Sequence, residues 1–255
     1  MTRWRTFRED VACGAGLLTR LPLGWLGVSG QAWSLTRSVW CWPLIGAFIG
    51  IVTAGVLVAL RFLHCPLILA AVWSIGAQLL LTGGLHEDGL ADMADGCGGG
   101  QTRERRLDIM RDSRIGSYGA LALGICLMIR IAALSEIPTA LAIPFLALSG
   151  TLSRAILPLL PFTLPPARTN GLAQQLAGLT RNQTLTCFFL AFCIAVVCVP
   201  AGTAFFACFL ALCVALILRK TALRLLGGYT GDVLGATACL TDCALLTTLA
   251  ALTNS

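Results

Sequence analysis

The sequence predicts an all-α fold, a polytopic integral membrane helix bundle with about seven transmembrane helices. Hydrophobic residues make up 57% of the 255-residue chain, charged residues only 12%, and the mean hydropathy is +0.84. A soluble domain carries about 25% charged residues. Seven apolar segments approach the roughly 20 residues that a helix needs to cross a bilayer. These observations exclude an ordinary soluble protein.

The seven predicted segments follow one another closely along the chain. The fourth segment contains three prolines, which predict a broken helix or an interfacial segment over its inner third. The segments span residues 42–60, 66–85, 118–134, 137–160, 184–199, 201–218 and 233–252.

The basic residues predict the orientation of the bundle. If the N-terminus is cytoplasmic, every basic residue except Arg61 and Arg130 falls on the cytoplasmic side. Cytoplasmic connections of membrane proteins are enriched in Lys and Arg, so this distribution supports a cytoplasmic N-terminus. The net charge of +6 is not gathered into a stripe that would bind nucleic acid. We therefore predict a lipid bilayer, and no nucleic acid, as the partner of this surface.

The chain shows no internal repeat and no second soluble region, so we expect one membrane-embedded domain over residues 1–255. Residues 1–41 would form a cytoplasmic, amphipathic N-terminal segment. This segment begins like a signal peptide, but Arg20 and Pro22 interrupt its apolar run and no cleavage site follows. The twelve cysteines form no CxxC pair and lie mostly in apolar runs, so we expect unpaired thiols.

The stretch 83–119 holds seven of the twelve acidic residues, and we predict a cytoplasmic catalytic loop over 86–116. Asp88, Asp92 and Asp95 are spaced i, i+4, i+7, which places three carboxylates on one stripe of a helix. The alternative interpretation is that the charged residues of this loop form a solvated helix face with i, i+4 ion pairs. No basic residue lies within a turn of the three aspartates to form such pairs. The pattern favours a hard divalent cation, Mg²⁺ or Mn²⁺.

Glycines that begin at Gly96 predict the end of this first helix near residue 95. A second helix is predicted from about Gln101, with Thr102 as its N-cap. Arg111 and Arg114 follow, and guanidinium groups grip phosphate oxygens in bidentate fashion. Carboxylates for a metal beside arginines for phosphate indicate phosphoryl or nucleotidyl transfer.

Four further polar residues lie near predicted membrane boundaries or inside the bundle. His86 either orients a phosphate, binds metal or forms a polar cap, and Arg154 faces the headgroups or the active site. Asp232 is either a carboxylate of the site or the N-cap of the last helix. Asp242 lies nearest to mid-membrane, where we expect a protonated or hydrogen-bonded structural role.

The string GGLHEDGLADMADG, followed by RRLDIMRDSRIGSYG, resembles the signature of the adenosylcobinamide-GDP ribazoletransferase, or cobalamin (5'-phosphate) synthase, family. The likeness extends to LLTRLPLG and WPLIGAFIG before this central motif, and to SRAILPLLPF and GGYTGD after it. It therefore covers almost the whole sequence.

The resemblance implies an integral membrane enzyme that closes the nucleotide loop of vitamin B12. A hydroxyl of α-ribazole, or of α-ribazole 5'-phosphate, would attack the corrinoid-linked phosphorus of adenosylcobinamide-GDP, and GMP would leave. The resemblance also implies Mg²⁺ dependence, with Mn²⁺ as a substitute, and an active site on the cytoplasmic face of the bacterial inner membrane. An oligomer, or an association with other cobalamin-pathway enzymes, stays open.

The resemblance assigns roles to the matching positions of this sequence. Asp88, Asp92 and Asp95 match the acidic motif and would hold the metal, with Glu87 as a further ligand. Arg111 and Arg114 match the family's DSR region and would bind the diphosphate. His86, Arg154 and Asp232 are further substrate-binding candidates because of their positions at predicted membrane boundaries.

Two alternatives belong to other functional classes. DGLADMADG is partly similar to the paired-aspartate motif of CDP-alcohol phosphatidyltransferases, but the full pattern with its following Arg and further aspartates is lacking. A divalent-cation transporter would place its carboxylates near the bilayer midplane around a pore. Here the carboxylates concentrate in one loop at the membrane boundary, which favours the transferase.

Overall fold

The computed structural model describes residues 3–23 and 34–253, and the regular elements of this part of the chain are helices. Residues 1–2 and 24–33 of the predicted N-terminal segment lie outside the described residues. Two 3₁₀ turns occur at Val39–Cys41 and Leu172–Leu176. The helices are α1 Arg3–Leu18, α2 Leu35–Ser38, α3 Trp42–Phe62, α4 Leu67–Thr82, α5 Leu85–Gly99, α6 Arg103–Ile109, α7 Ser117–Glu136, α8 Thr139–Ala155, α9 Leu159–Thr163, α10 Arg181–Cys198, α11 Ala201–Leu226 and α12 Gly231–Thr253.

Six helical stretches in the described part of the chain are long and apolar enough to cross a bilayer, and α4 with α5 makes a seventh if the bent pair counts as one broken span. The predicted all-α membrane bundle is therefore confirmed. All twelve cysteines are free, as expected. The six stretches are Leu35–Phe62, Ser117–Glu136, Thr139–Thr163, Arg181–Cys198, Ala201–Leu226 and Gly231–Thr253.

The second predicted segment ends earlier than expected, in a sharp bend. α4 has 16 residues and stops at Thr82, and α5 leaves it at an angle of 92°. Gly83 and Gly84 form the corner with φ values of 70° and 68°. This left-handed region costs other residues about 1–2 kcal/mol each, so a pair of glycines is the residue choice that permits the bend.

The predicted break in the fourth segment is confirmed. α8 ends at Ala155 and a short helix, α9, begins at Leu159. Pro158 lies between them, where its ring prevents a regular helix from continuing. The predicted cap of α6 is also confirmed, since the Thr102 hydroxyl accepts a hydrogen bond from the Arg105 N–H at 3.2 Å.

The prediction that the acidic helix ends near residue 95 was wrong. α5 continues through the glycines to Gly99. A Cβ on Gly98 would lie 2.6 Å from the Tyr118 ring, and one on Gly96 would collide with the Met110 side chain. These glycines let neighbouring segments pack directly against the helix backbone, and this packing offsets their poor helix propensity.

Arg130 lies inside the bundle rather than at its outer side, which corrects the sequence-based placement. The side chain is 1% exposed and contacts three other helices. Its guanidinium donates to Glu87 of α5 at 2.7 Å and to Gln78 of α4 at 2.6 Å, and it lies 3.1 Å from Asp242 of α12. Ser149 of α8 donates to the same Asp242 carboxylate at 2.5 Å. Asp242 therefore has the hydrogen-bonded structural role that was expected.

The N-terminal helix α1 is attached to the bundle by polar contacts. Asp10 is buried and accepts from Arg37 at 2.6 Å and from the Trp40 indole at 3.2 Å. After α1, the backbone N–H of Arg20 donates to the Leu81 carbonyl at the end of α4. These contacts hold α1 beside the bend that precedes the acidic helix.

Replacing Arg130 with Met should destabilise the protein by about 3–5 kcal/mol, because the partly buried Glu87 and the buried Asp242 would lose their counter-charge. Thermal unfolding in detergent micelles measures the effect. Lys220→Met, at an exposed position on α11, is the control and should change stability by about 0.5 kcal/mol or less. An Arg130→Met variant as stable as the wild type would contradict the structural role of this network.

Candidate active site

The acidic stripe of α5 is divided among different environments. Asp88 is exposed, Asp92 is half-buried and Asp95 is buried. The Asp95 carboxylate accepts backbone hydrogen bonds from Gly116 at 2.7 Å and from Gly119 at 2.9 Å, at the start of α7. Asp95 therefore satisfies free N–H groups at a helix N-terminus, where negative charge is also favoured by the helix dipole.

α12 brings a fourth carboxylate to this stripe. α5 and α12 cross at Gly89 and Gly235, where a Cβ on Gly89 would lie 3.0 Å from the Asp232 backbone. The N-cap interpretation of Asp232 was wrong, because the Thr230 hydroxyl accepts from the Val233 N–H at 3.3 Å and caps α12 instead. Asp232 follows in the first turn and belongs to the carboxylate cluster.

The carboxylates repel one another across the two helices. Burial, and then the negative charges of Asp232 and Asp88, raise the pKa of Asp92 to about 7, although Arg168 opposes this shift. Asp95 adds a smaller repulsion. The cluster thus concentrates negative charge at a half-buried position, as sites for divalent cations do.

Arg168 is the basic residue of this cluster, and the sequence motifs did not identify it. Its guanidinium lies 3.4 Å from the Asp232 carboxylate and donates to the Leu107 carbonyl of α6 at 3.1 Å. In sequence it lies 73 residues or more beyond the acidic stripe and belongs to no charge pattern. The available signal was its isolation, since it is the one basic residue between Arg154 and Arg181.

The loop that carries Arg168 is fixed by a backbone pairing. The Tyr229 N–H donates to the Pro165 carbonyl at 3.0 Å, and the Ala167 N–H donates to the Tyr229 carbonyl at 2.8 Å. Arg103 of α6 then links this loop to the end of α11, donating to the Ala167 carbonyl at 2.9 Å and the Leu226 carbonyl at 2.7 Å. Arg103 is therefore a positioning residue for Arg168.

Three predicted residues lie apart from the cluster in their present contacts. Glu87 pairs with Arg130 inside the bundle. Arg111 and Arg114 are both exposed, and Arg114 binds the neighbouring Asp112 at 2.7 Å. This hydrogen bond lowers the pKa of Asp112 to about 2. In the described residues, neither guanidinium contacts the carboxylates of α5.

His86 and Arg154 are both buried in the bundle. The imidazole of His86 is 5% exposed and its Nδ1 has no hydrogen-bond partner. Burial, and then the charges of Arg154 and Arg130, hold the pKa of His86 well below its ordinary value, so the ring is neutral. Arg154 donates to the Ser153 hydroxyl at 2.8 Å. Arg154 is 4% exposed and therefore lies inside the bundle rather than among the headgroups.

The carboxylates do not form a complete set of metal ligands in this structure. Among residues 3–23 and 34–253, no three His, Cys, Asp or Glu side chains converge closely enough to hold a metal ion. The donors are nevertheless of the right chemistry, since carboxylate oxygens are the ligands of hard divalent cations.

The fold and the site together define a polytopic membrane protein with a carboxylate and arginine cluster at one end of its bundle. The sequence model of the cobalamin-5-phosphate synthase family matches residues 10–250. The chain is 39% identical to the adenosylcobinamide-GDP ribazoletransferase of Sinorhizobium medicae, over 98% of this chain and 99% of that protein. It is 40% identical to the same enzyme of Azorhizobium caulinodans, over 93% of each chain. No solved structure gives a significant match.

The chain therefore belongs to the cobalamin-5-phosphate synthase family. Its activity is that of an adenosylcobinamide-GDP ribazoletransferase, which closes the nucleotide loop in cobalamin synthesis.

Replacing Asp92 with Asn should stabilise the ion-free protein. Because the pKa of Asp92 is raised above its ordinary value, its ionisation costs stability as the pH rises from about 4 to about 7. In buffer with EDTA, the variant should unfold at least about 2 °C above the wild type at pH 8. The difference in unfolding temperature between the variant and the wild type should become smaller towards pH 5.

Asp108→Asn, at an exposed carboxylate of α6, is the control for this measurement and should leave the unfolding temperature unchanged at both pH values. Equal unfolding temperatures of Asp92→Asn and the wild type at pH 8 would contradict repulsion within the cluster.

Proposed function

We propose that this chain performs its transfer with Mg²⁺ at the cluster of Asp88, Asp92, Asp232 and Arg168, on the cytoplasmic face of the bacterial inner membrane. The observation that carries the proposal is the crossing of α5 and α12. It brings carboxylates from two distant parts of the sequence beside an arginine that is held by a separate loop.

The donor set fits a hard divalent cation, and Mn²⁺ would substitute for Mg²⁺. Asp88, Asp92 and Asp232 would hold it. Asp95 supports the site, since both its oxygens accept N–H groups of α7, and Glu87 supports it through Arg130. When bound, the ion would neutralise charge on the diphosphate and polarise the reacting phosphorus centre.

Arg168 would bind the diphosphate of adenosylcobinamide-GDP, because its guanidinium already lies at the cluster. Arg111 and Arg114 would add contacts from the exposed connection between α6 and α7, with Arg114 exchanging Asp112 for a phosphate. Arg154 and His86 would support the substrate from the buried side.

In the reaction, a ribose hydroxyl oxygen of the acceptor forms a bond to the corrinoid-linked phosphorus. The bond from that phosphorus to the bridging oxygen breaks, and GMP leaves with the electron pair. A carboxylate of the cluster takes the proton of the hydroxyl group. The fixed charges of the site stabilise the charge that develops on the transferred phosphorus centre.

The cytoplasmic location is supported by the distribution of the basic residues. The segments 103–114, 168 and 219–224 carry arginines or lysine at the end of the bundle where the cluster lies. Cytoplasmic surfaces of membrane proteins are enriched in such residues.

Purified protein should release GMP from adenosylcobinamide-GDP only when α-ribazole, or its 5'-phosphate, and Mg²⁺ are both present. Asp92→Asn and Asp232→Asn should reduce kcat by about 100-fold or more, because each removes a charged ligand from the site. Asp108→Asn is the matched control and should keep wild-type turnover.

Full turnover in EDTA would overturn the proposed metal and leave the family activity in place. Two other results would count against the transferase activity itself. Turnover of a CDP-activated lipid without GMP release would favour the phosphatidyltransferase alternative, and metal uptake into vesicles that needs no nucleotide would favour a transporter.

Arg168→Met should lower kcat/KM for adenosylcobinamide-GDP by about 100-fold, because a charged bidentate contact to the diphosphate is lost. Arg168→Lys should recover only part of the lost kcat/KM, since an ammonium group lacks the planar, two-pronged donor geometry of a guanidinium. Arg224→Met, at an exposed position of α11, serves as the control. A larger effect on the KM for α-ribazole than for the donor would contradict the assignment.

A further inference from the structure

A cavity of about 160 Å³ lies directly beside the carboxylate cluster. One side of its wall is formed by leucines of α1, by Leu157 before α9, by the Leu172–Leu176 turn and by Trp42 at the start of α3, and the other side by α5 and α12. Asp88 and Asp232 line the same cavity. The cavity is therefore apolar over most of its surface and acidic where it meets the site.

The size of the cavity suits a planar aromatic group. An engineered apolar cavity of about 150 Å³ in another protein binds benzene, so a comparable volume accepts an aromatic ring. A corrin macrocycle is several times larger and does not fit. Both substrates carry flat heteroaromatic groups. The guanine and adenine of the donor bear exocyclic polar groups and several ring nitrogens, which a mostly apolar wall would leave without partners. The benzimidazole-type base of the acceptor has fewer polar atoms and suits such a wall better.

His86 is the polar side chain that lines the cavity in addition to the two carboxylates. His86 is 5% exposed, and its Nδ1 has no hydrogen-bond partner in the described residues. A neutral imidazole offers one donor and one acceptor. A buried polar atom of this kind is normally satisfied, and a ligand in the cavity would satisfy it.

We propose that this cavity is the acceptor subsite, which takes the benzimidazole-type base of α-ribazole and leaves the ribose at Asp88 and Asp232. The inference rests on the proposed function. His86 pairs with the ring nitrogen of the base that carries no ribose. With the base enclosed, the ribose hydroxyl groups lie beside the carboxylates where the diphosphate of the donor arrives.

With this arrangement, the cavity determines which base the acceptor nucleoside can carry. The leucine walls favour a methylated benzimidazole through apolar contact. Adenine would bring an exocyclic amino group and further ring nitrogens against leucine side chains, where they find no partners. The adenine riboside should therefore bind at least about 10-fold more weakly than α-ribazole.

The test fills the cavity from its exposed wall. Leu172→Trp and Ala173→Phe lie on the Leu172–Leu176 turn, where Leu172 is 52% exposed, so neither substitution removes a buried core side chain. Each should raise the KM for α-ribazole about 10-fold or more and leave the KM for adenosylcobinamide-GDP unchanged. Leu185→Trp, at an equally exposed leucine of α10 away from the cavity, is the control.

Equilibrium binding of radiolabelled α-ribazole, without donor, separates this inference from the proposed function. Binding to the wild type that is lost in both filled variants supports the subsite, even if the wild type releases no GMP and the proposed function fails. An unchanged KM and unchanged binding in both folded variants would overturn the subsite, whatever the turnover. If neither variant folds, equal affinity of the wild type for α-ribazole and for adenine riboside would overturn it.

Discussion

The buried guanidinium of Arg130 is the interaction on which the rest of the structure depends. A charge inside an apolar bundle is stable only when it is paired and hydrogen-bonded. Arg130 meets this requirement with groups from α4, α5 and α12, and Asp242 extends the network to α8 through Ser149. Five helices are thereby fixed relative to one another at a single point.

That constraint explains how an acidic helix is held at an angle to its predecessor. α5 follows the bend at Gly83 and Gly84, and its first turn is tied inward by the pair of Glu87 with Arg130. Its far half is tied to the start of α7 by Asp95. Both ends of the acidic stretch thus have structural partners. The middle residues, Asp88 and Asp92, have no such partners and lie beside Asp232 of α12.

The membrane spans could be predicted from the sequence because their signal is local. Apolar length, prolines and a capping threonine act within a few residues, and the break near Pro158 and the cap at Thr102 follow directly from them. The end of α5 could not be predicted in this way. Its glycines favour a helix end locally, but contacts with Met110 and Tyr118 hold them in the helix.

Only some of the residues that form the site could be predicted from the sequence. The spacing of the aspartates indicates a shared helix face, and it does not show which of them are engaged by partners. Asp95 is engaged by backbone N–H groups and Glu87 by Arg130, each distant in sequence. Arg168 depends on the backbone pairing of residues 165–167 with Tyr229, a contact between segments that share no periodic pattern. Such contacts exist only once the bundle has formed.

The position of the carboxylates between an open side and an apolar cavity bears on how the transfer would avoid hydrolysis. Water is present at high concentration and competes with the ribose hydroxyl for the activated phosphorus. In the arrangement proposed here, the base of the acceptor fills the leucine-lined cavity, and the bound nucleoside covers Asp88 and Asp232 from that side. Occupancy by the acceptor then removes water from the cluster and supplies the nucleophile in the same step. GMP release would thus depend on the acceptor for a structural reason, because the site is shielded from water only when its nucleophile is bound.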